Sequence, residues 1–139
     1  MSSELTAPDG WEVVTEPAVG TRLVAAEPEH GGFRANLVVT SVACGGLSFS
    51  EWQAGTDVVL GRTLDRYLVI DLERVAVAGH PGGRRLAHHV GPTGEALTME
   101  QWFTAVDDVG HTLTATVPTS RYLDLSDTMG RAAASWRPS

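Results

Sequence analysis

The sequence predicts an α+β fold, an α/β/α sandwich in which a twisted, mainly antiparallel sheet of six to seven strands carries a helix on each face. Three observations lead to this prediction. Elements with strand and helix patterns follow the order β-β-β-α-β-β-β-β-α, so strands occur in runs instead of alternating with helices. The later strands are joined by short Gly-, Pro- and Asp-containing turns, as in an antiparallel meander. A chain of 139 residues is long enough for one core.

The first three strands precede any helical pattern. Residues 11–15 and 21–26 have strand propensity and are separated by Pro17 and Gly20, which predicts a hairpin. From Phe33 to Ala43 the sequence first alternates and then becomes apolar at consecutive positions. Such a run is typical of a strand inside the sheet that is covered on both faces.

Four further strands are predicted between the two helices. They cover residues 68–77, 84–90, 96–106 and 113–117. The segment 80–83, His-Pro-Gly-Gly, is predicted to interrupt the chain between the first two of them. Turns at 91–94 and 107–110 separate the others, and Pro118 ends the last strand.

The first helix is predicted from its amino-terminal signals. Ser48 and Glu51 have the spacing of a capping box, in which each side chain accepts a hydrogen bond from the other residue's backbone amide. Leu47 and Trp52 occupy the positions of a hydrophobic staple around this cap. The residues expected to share the helix face that lies on the sheet are Trp52, Val59, Leu60 and Tyr67.

The second helix is predicted at the carboxyl-terminal end of the sequence. Its apolar residues fall at offsets 0, 4, 7, 8 and 11, which places them in one continuous stripe. The residues of this stripe are Leu125, Met129, Ala132, Ala133 and Trp136. Pro138 follows directly and is expected to end the helix.

Composition and charge exclude several classes of protein. Ten basic and seventeen acidic residues give a net charge of −7, which does not favour binding to nucleic acid. No apolar run approaches the length of a membrane span, so membrane insertion is not expected. Residues 1–10 lack the basic and apolar regions of a signal peptide, which predicts a cytoplasmic protein. We expect a flexible segment 1–10, followed by a single domain over 11–138.

Several segments together resemble the PsbP-like superfamily, also called Mog/PsbP/DcrB, and within it the actinobacterial branch of LpqN-type proteins. The segments are 32–40, 63–67, 79–85, 101–103, 113–117 and 134–138. The resemblance extends over residues 11–138 and implies the sandwich fold and non-enzymatic work. Members of the superfamily include an extrinsic photosystem II subunit, a regulator that binds the Ran GTPase and chaperones for apolar segments of secreted toxins. The single cysteine, Cys44, lies inside the chain and does not match the lipobox of the lipoprotein members.

No catalytic, cofactor or metal site is expected. His88 and His89 are neighbours on a strand, so their side chains point to opposite faces and cannot jointly bind one ion. His80 lies in the Gly-Pro turn and His111 begins the last strand. No Gly-x-Ser-x-Gly motif, phosphate-binding glycine loop or paired-carboxylate arrangement occurs.

The strand over residues 96–106 is the strongest candidate for a binding surface, because both of its faces are apolar. Leu97, Met99 and Phe103 share one face, whereas Trp102 and Val106 share the other. One interpretation is that a helix covers each face completely. The other is that one helix leaves a groove with Trp102 as its floor and Arg34 and His88 at its edge, where a partner binds.

Two functions follow from this second interpretation. The first is a non-enzymatic binding or adaptor protein, including a chaperone or accessory factor for an exported protein, with a protein partner and a monomeric or homodimeric state. The alternative is a carrier of a small apolar or lipid-like ligand. A site for a partner protein should be an open apolar strip, whereas a carrier needs a closed cavity of several hundred cubic ångströms, roughly the size of a drug pocket.

Overall fold

The computed structural model of the protein describes residues 4–139 and confirms the predicted α+β architecture. Its sheet is antiparallel throughout, with the strand order β1-β2-β3-β7-β6-β5-β4. The elements are β1 (Glu12–Ala18), β2 (Thr21–Ala26), β3 (Asn36–Ala43), α1 (Phe49–Thr63), β4 (Asp65–Val77), β5 (His80–Val90), β6 (Ala96–Val106), β7 (Val109–Pro118), a 3-10 turn (Thr119–Arg121) and α2 (Tyr122–Ser135). Within residues 4–139, neither helix is long and apolar enough to cross a membrane.

The two helices lie on opposite faces of the sheet. The side that carries Leu113 packs against α2 and is called the α2 face here. The side that carries Phe103 packs against α1 and is called the α1 face. The α2 face contains the larger core, where Met129, Ala132 and Trp136 lie on apolar side chains of β2, β3 and β7. The core under α1 consists mainly of aromatic contacts between Phe49, Trp52 and Phe103.

Helix α1 begins as predicted but does not bury the predicted face. The capping box between Ser48 and Glu51 is present, with both side chain to backbone hydrogen bonds. Trp52 is buried, whereas Val59 is 55% exposed. Tyr67 lies on β4 because the helix ends at Thr63, so the prediction of a four-residue face was wrong. Leu47 is half exposed, which leaves one side of the predicted staple in solvent.

The turn between β4 and β5 lies earlier than predicted. Ala78 and Gly79 form it with φ angles of 50° and 82°, and β5 begins directly afterwards at His80. Gly82 and Gly83 therefore lie inside a strand and do not interrupt one. A Cβ atom on Gly83 would lie 2.6 Å from the Phe103 ring, so the missing side chain lets the ring pack directly on the strand.

Strand β3 lies inside the sheet, although β7 is the middle strand. It starts at Asn36, three residues later than the predicted start at Phe33. Leu37 and Val39 are fully buried on the α2 face, but Val42 is 57% exposed. The prediction that both faces of this strand are covered was therefore wrong at its carboxyl-terminal end, where Val42 is exposed.

The segment before β1 packs against α2. Leu5 is 2% exposed and belongs to the main core. The backbone amide of Thr6 donates to Ser135 Oγ (2.9 Å), and that of Arg137 donates to the Glu4 carbonyl (2.8 Å). The predicted flexible segment 1–10 thus falls partly on residues that are held in the fold. Its first three residues lie outside the described part of the chain.

A Gly110→Ala substitution should destabilise the protein by about 1–3 kcal/mol, because overpacking forces neighbouring atoms to move. The new Cβ would lie 2.3 Å from Trp52, which is the buried residue of α1. Gly55→Ala in the same helix is the control, since nothing lies within 4 Å of its new methyl group. It should stabilise the helix by about 1 kcal/mol. Urea unfolding measures both effects, and equal stability of the two variants would contradict this packing.

Candidate functional site

Helix α2 leaves part of its sheet face uncovered, and a groove of about 440 Å³ lies there. Trp102 of β6 is half-buried at its floor and also contacts the main core. One wall is the end of β4 with the following turn, and the other is the last part of α2. The lining residues are Val75, Ala76, Val77, Ala78, Gly79, Trp102, Gly130, Ala133, Ala134 and Arg137.

The groove is open to solvent, because the helix wall carries small side chains. Gly130, Ala133 and Ala134 bring the surface of α2 close to its backbone, and nothing lies within 4 Å of where a Gly130 Cβ would be. Gly130 and Ala134 are exposed, as is Gly79 on the opposite wall. The groove is therefore an open strip lined by small and apolar side chains together with polar backbone atoms and Arg137, and it is not an enclosed cavity.

Among residues 4–139, Arg137 is the only charged one that lines the groove. Its Nη1 donates to the carbonyl oxygens of Ala134 (3.0 Å) and Trp136 (2.8 Å), which holds the guanidinium against the end of α2. Arg137 forms no ion pair with any residue of the range 4–139. The groove thus offers an apolar floor with an uncompensated positive charge at one end.

His88 lies on the same face as Trp102 but outside the groove lining. It pairs with Thr98 across β5 and β6, whereas Trp102 pairs with Arg84. These two pairs are four residues apart along the strands, which corresponds to ~13 Å. The sequence placed His88 beside Trp102 because it contained no information on strand register.

Arg34 is also outside the groove lining, in an acidic cluster beside the start of β3. Its Nε donates to the Glu27 carbonyl (2.8 Å), and its Nη2 lies 3.1 Å from Glu12 Oε1. Of the three candidate residues, the groove therefore contains Trp102 alone. Their role in partner binding stays a prediction.

Glu27 is the centre of that acidic cluster and is held by four donors. Arg121 donates to both carboxylate oxygens, at 2.7 and 2.8 Å, and the Ala35 amide donates to one of them at 2.6 Å. His30 Nε2 lies 3.1 Å from the same carboxylate. The Arg121 hydrogen bonds, opposed in part by burial, lower the Glu27 pKa to about 2. This cluster ties the end of β2 to the start of α2.

A second polar cluster lies on the α2 face next to Trp102. Arg84 forms ion pairs with Glu100, Asp71 and Glu73, and the Tyr122 hydroxyl donates to Glu100 (3.2 Å). Burial is the main reason why the pKa of Tyr122 is raised. This part of the face contains paired charges, which separates the apolar groove from the region of His88.

Two smaller hollows lie around β4. One, of about 220 Å³, is on the α1 face and is lined by Phe49, Ser50, Gln53, Leu72, Glu73, Arg74, Gly82, Gly83 and Phe103. The other, of about 370 Å³, is lined by residues 74–76 and 79–82. Together with the groove they surround the end of β4 from both faces of the sheet.

The groove lining, within residues 4–139, differs from a catalytic site in its side chains. It is lined by apolar and small side chains and one guanidinium, without a nucleophile or a carboxylate. The Ser41 hydroxyl lies 2.8 Å from His111 Nδ1, but this pair bridges β3 and β7 and does not line the groove. Within residues 4–139, no group of three or more His, Cys, Asp or Glu side chains could hold a metal ion.

The sequence analysis did not predict that α2 forms one wall of the groove. Gly130 carried a signal, since glycine inside a helix costs about 1 kcal/mol relative to alanine and suggests a reason for its presence. Ala133 was assigned to the buried stripe, but it also lines the groove together with Ala134. Arg137 falls beyond the helix end at Ser135, where no periodicity could place it.

The architecture is that of the PsbP- and Mog1-like proteins, and similarity to solved structures shows this directly. PA94 of Pseudomonas aeruginosa, a protein of unknown function, has a TM-score of 0.74 at 14% identity, with 99% of both chains covered. LpqN of Mycobacterium tuberculosis, which is involved in cell envelope biogenesis, has a TM-score of 0.73 at 13% identity, covering 93% of this chain and 78% of LpqN.

The two proteins that give the fold its names are also similar. Cyanobacterial PsbP from Synechocystis has a TM-score of 0.67 at 14% identity, covering 95% of this chain and 84% of its own. The Ran-binding protein Mog1p of Saccharomyces cerevisiae has a TM-score of 0.65 at 11% identity, covering 96% and 88%. No protein-family model matches the sequence, and no curated protein sequence is significantly similar to it. At these identities the similarity establishes the fold.

A Glu27→Gln substitution should remove a stabilisation that depends on pH. The lowered pKa of Glu27 means that its carboxylate stabilises the fold above pH 4.5 and progressively less as the pH falls towards about 2. The full effect corresponds to roughly 3 kcal/mol. Chemical unfolding between pH 2 and 7 should show a smaller decrease in the variant, with the two curves converging at the acid end. Glu29→Gln, at an exposed carboxylate near Arg34, is the control and should follow the wild type.

Proposed function

We propose that this chain is a non-enzymatic binding protein that holds an apolar segment of a partner protein in the Trp102 groove. Its role would be that of an adaptor, or of a chaperone or accessory factor for an exported protein. The groove supports this function because it is open to solvent, is lined by small and apolar side chains and has a half-buried tryptophan at its floor. Tryptophan is enriched among the residues that dominate binding energy in interfaces.

The proteins with the same fold support a binding role. Mog1p is a Ran-binding protein, and LpqN is involved in cell envelope biogenesis. The cytoplasmic location and the monomeric or homodimeric state of this chain stay predictions.

A carrier of a small apolar ligand is the second candidate function, and the groove volume of about 440 Å³ is in the range of such sites. The open helix wall argues against it, because an apolar ligand would remain partly in water. Native mass spectrometry of protein purified from its own host distinguishes the two. An adduct of constant mass that is absent from Trp102→Ala protein would favour the carrier.

The partner can be identified by crosslinking from the groove wall. Benzoylphenylalanine incorporated at position 134, which is exposed and lines the groove, should crosslink to the partner in the native host. Benzoylphenylalanine at position 123, which is exposed on α2, is the control and should give no crosslink. Mass spectrometry of the crosslinked product names the protein, which can then be purified for binding measurements.

Trp102→Ala should weaken binding of that purified partner at least about 30-fold, since truncating a central interface tryptophan costs about 2 kcal/mol or more. Ala134→Phe is a second variant that fills the groove from an exposed position and leaves the core intact. Leu123→Ala should bind as the wild type does. Isothermal titration calorimetry gives the three affinities. Unchanged affinity in both groove variants would show that the partner binds elsewhere.

A further inference from the structure

The free edge of β4 borders the Trp102 groove. β4 is the last strand of the sheet, so β5 pairs with it on one side and nothing pairs with it on the other within residues 4–139. Its register with β5 shifts twice, between Asp65 and Leu68 and between Val69 and Asp71, and is then continuous from Asp71 to Val77. This last stretch is a regular strand with an unused row of backbone donors and acceptors.

Hollows lie on both faces of this regular stretch. Val75 and Val77 contact the main core on the α2 face and line the Trp102 groove. Leu72 and Arg74 line the hollow of the α1 face, which has Phe49 and Phe103 among its walls. Because side chains of a strand alternate between faces, a strand added at this edge would direct successive side chains into different hollows.

We propose that the partner segment is extended and adds a strand to the β4 edge over residues 71–77. This inference rests on the proposed function and specifies the conformation and chemistry of the partner. The backbone hydrogen bonds of the new strand provide affinity, and the hollows select alternate side chains. A helical segment could not combine edge hydrogen bonds with side-chain contacts in the hollows, since the backbone groups of a helix are already paired with each other.

The two faces select different side chains. On the α2 face the partner meets Val75, Val77 and Trp102, so aliphatic side chains fit there. On the α1 face it meets Arg74, which forms no ion pair within the described part of the chain although the protein carries a net charge of −7. A carboxylate in the partner would pair with this guanidinium. The expected segment therefore has two aliphatic residues at alternate positions, opposite Val75 and Val77, and an acidic residue opposite Arg74, directly beside this pair.

The other edge of the sheet is less suited to pairing. Strand β1 contains Pro17, which lacks a backbone donor, and its register with β2 shifts between Thr15 and Ala18. Glu16 has a positive φ of 51° at this irregularity. None of the hollows described above is lined by a residue of β1. The β4 edge is thus the one that combines a regular backbone with recognition sites for side chains.

Selection from a library of random twelve-residue peptides displayed on phage tests the proposal. The bait is the full chain, with counter-selection against Trp102→Ala. Enriched peptides should carry aliphatic residues at positions i and i+2 with Asp or Glu directly beside this pair, at i−1 or i+3. Enrichment of a helical i, i+3, i+4 pattern, or no enrichment at all, would overturn the proposal.

The strongest enriched peptide is then used as a synthetic probe. Its binding should slow amide hydrogen exchange within residues 71–77, and Arg74→Glu should weaken its affinity at least tenfold. Arg66→Glu is the matched control, since Arg66 lies on the same strand before the regular stretch and should leave affinity unchanged. A version of the peptide with N-methylated alternate amides should bind at least tenfold more weakly if it pairs with the edge.

The outcomes separate this proposal from the proposed function. Binding that is lost in Trp102→Ala but leaves the amides of 71–77 unprotected would keep the groove as the binding site and overturn strand addition. Binding that is unaffected by Trp102→Ala would overturn the proposed function, whatever happens at β4. Protection of the same amides without peptide, together with a dimer in sedimentation velocity, would show that a second copy covers the edge and would also overturn the proposal.

Discussion

The position of α2 on the sheet determines where the groove of this molecule lies. Trp136 is fully buried just after the helix, and Met129 and Ala132 are buried within it, all on β2, β3 and β7. The segment around Leu5 lies on the same side and is hydrogen-bonded to Ser135 and Arg137. A single helix can cover only part of a seven-stranded sheet, so the half formed by β4, β5 and β6 is less completely covered: Val77 and Thr104 are buried there, but Arg84 is only half-buried. The groove is the boundary between these two halves.

The less covered half carries an ionic cluster beside the groove. Arg84, Glu100 and Tyr122 form a connected polar cluster where a second helix would otherwise require apolar residues. Asp71 and Glu73 of the edge strand extend this cluster through Arg84. Next to this cluster, the groove is lined by Trp102, the end of β4 and the small residues of α2. A limited apolar strip with a polar surround is typical of an interaction site and avoids a large patch prone to aggregation.

Local signals in the sequence predicted the helices and strands well, but they did not predict which strands lie next to each other in the sheet. The capping box at Ser48, the stripe of α2 and the period of β6 each depend on residues close in sequence, and the structure confirms them. The grouping of Trp102 with Arg34 and His88 depended on strand order and register, which residues close in sequence do not encode. Gly82 and Gly83 were interpreted as a break because a glycine required for close packing looks the same in sequence as one required for a turn. The predicted buried face of α1 was wrong because residue spacing alone could not show that the helix ends before Tyr67.

The two edges of the sheet show how the fold limits its own association. An unpaired strand is a template for further pairing, and proteins restrict it with bulges, charges and proline. Strand β1 has Pro17 and an irregular register, and the first half of β4 has two register shifts around Arg66 and Ile70. Leu68 and Ile70 are exposed there, but the shifts disrupt the regular spacing that another strand would need. Beyond Ile70 the same strand is regular and reaches the groove. The unpaired backbone groups of β4 and the hollows that can accept side chains therefore lie side by side after Ile70. A segment that pairs with this stretch is also selected by its side chains.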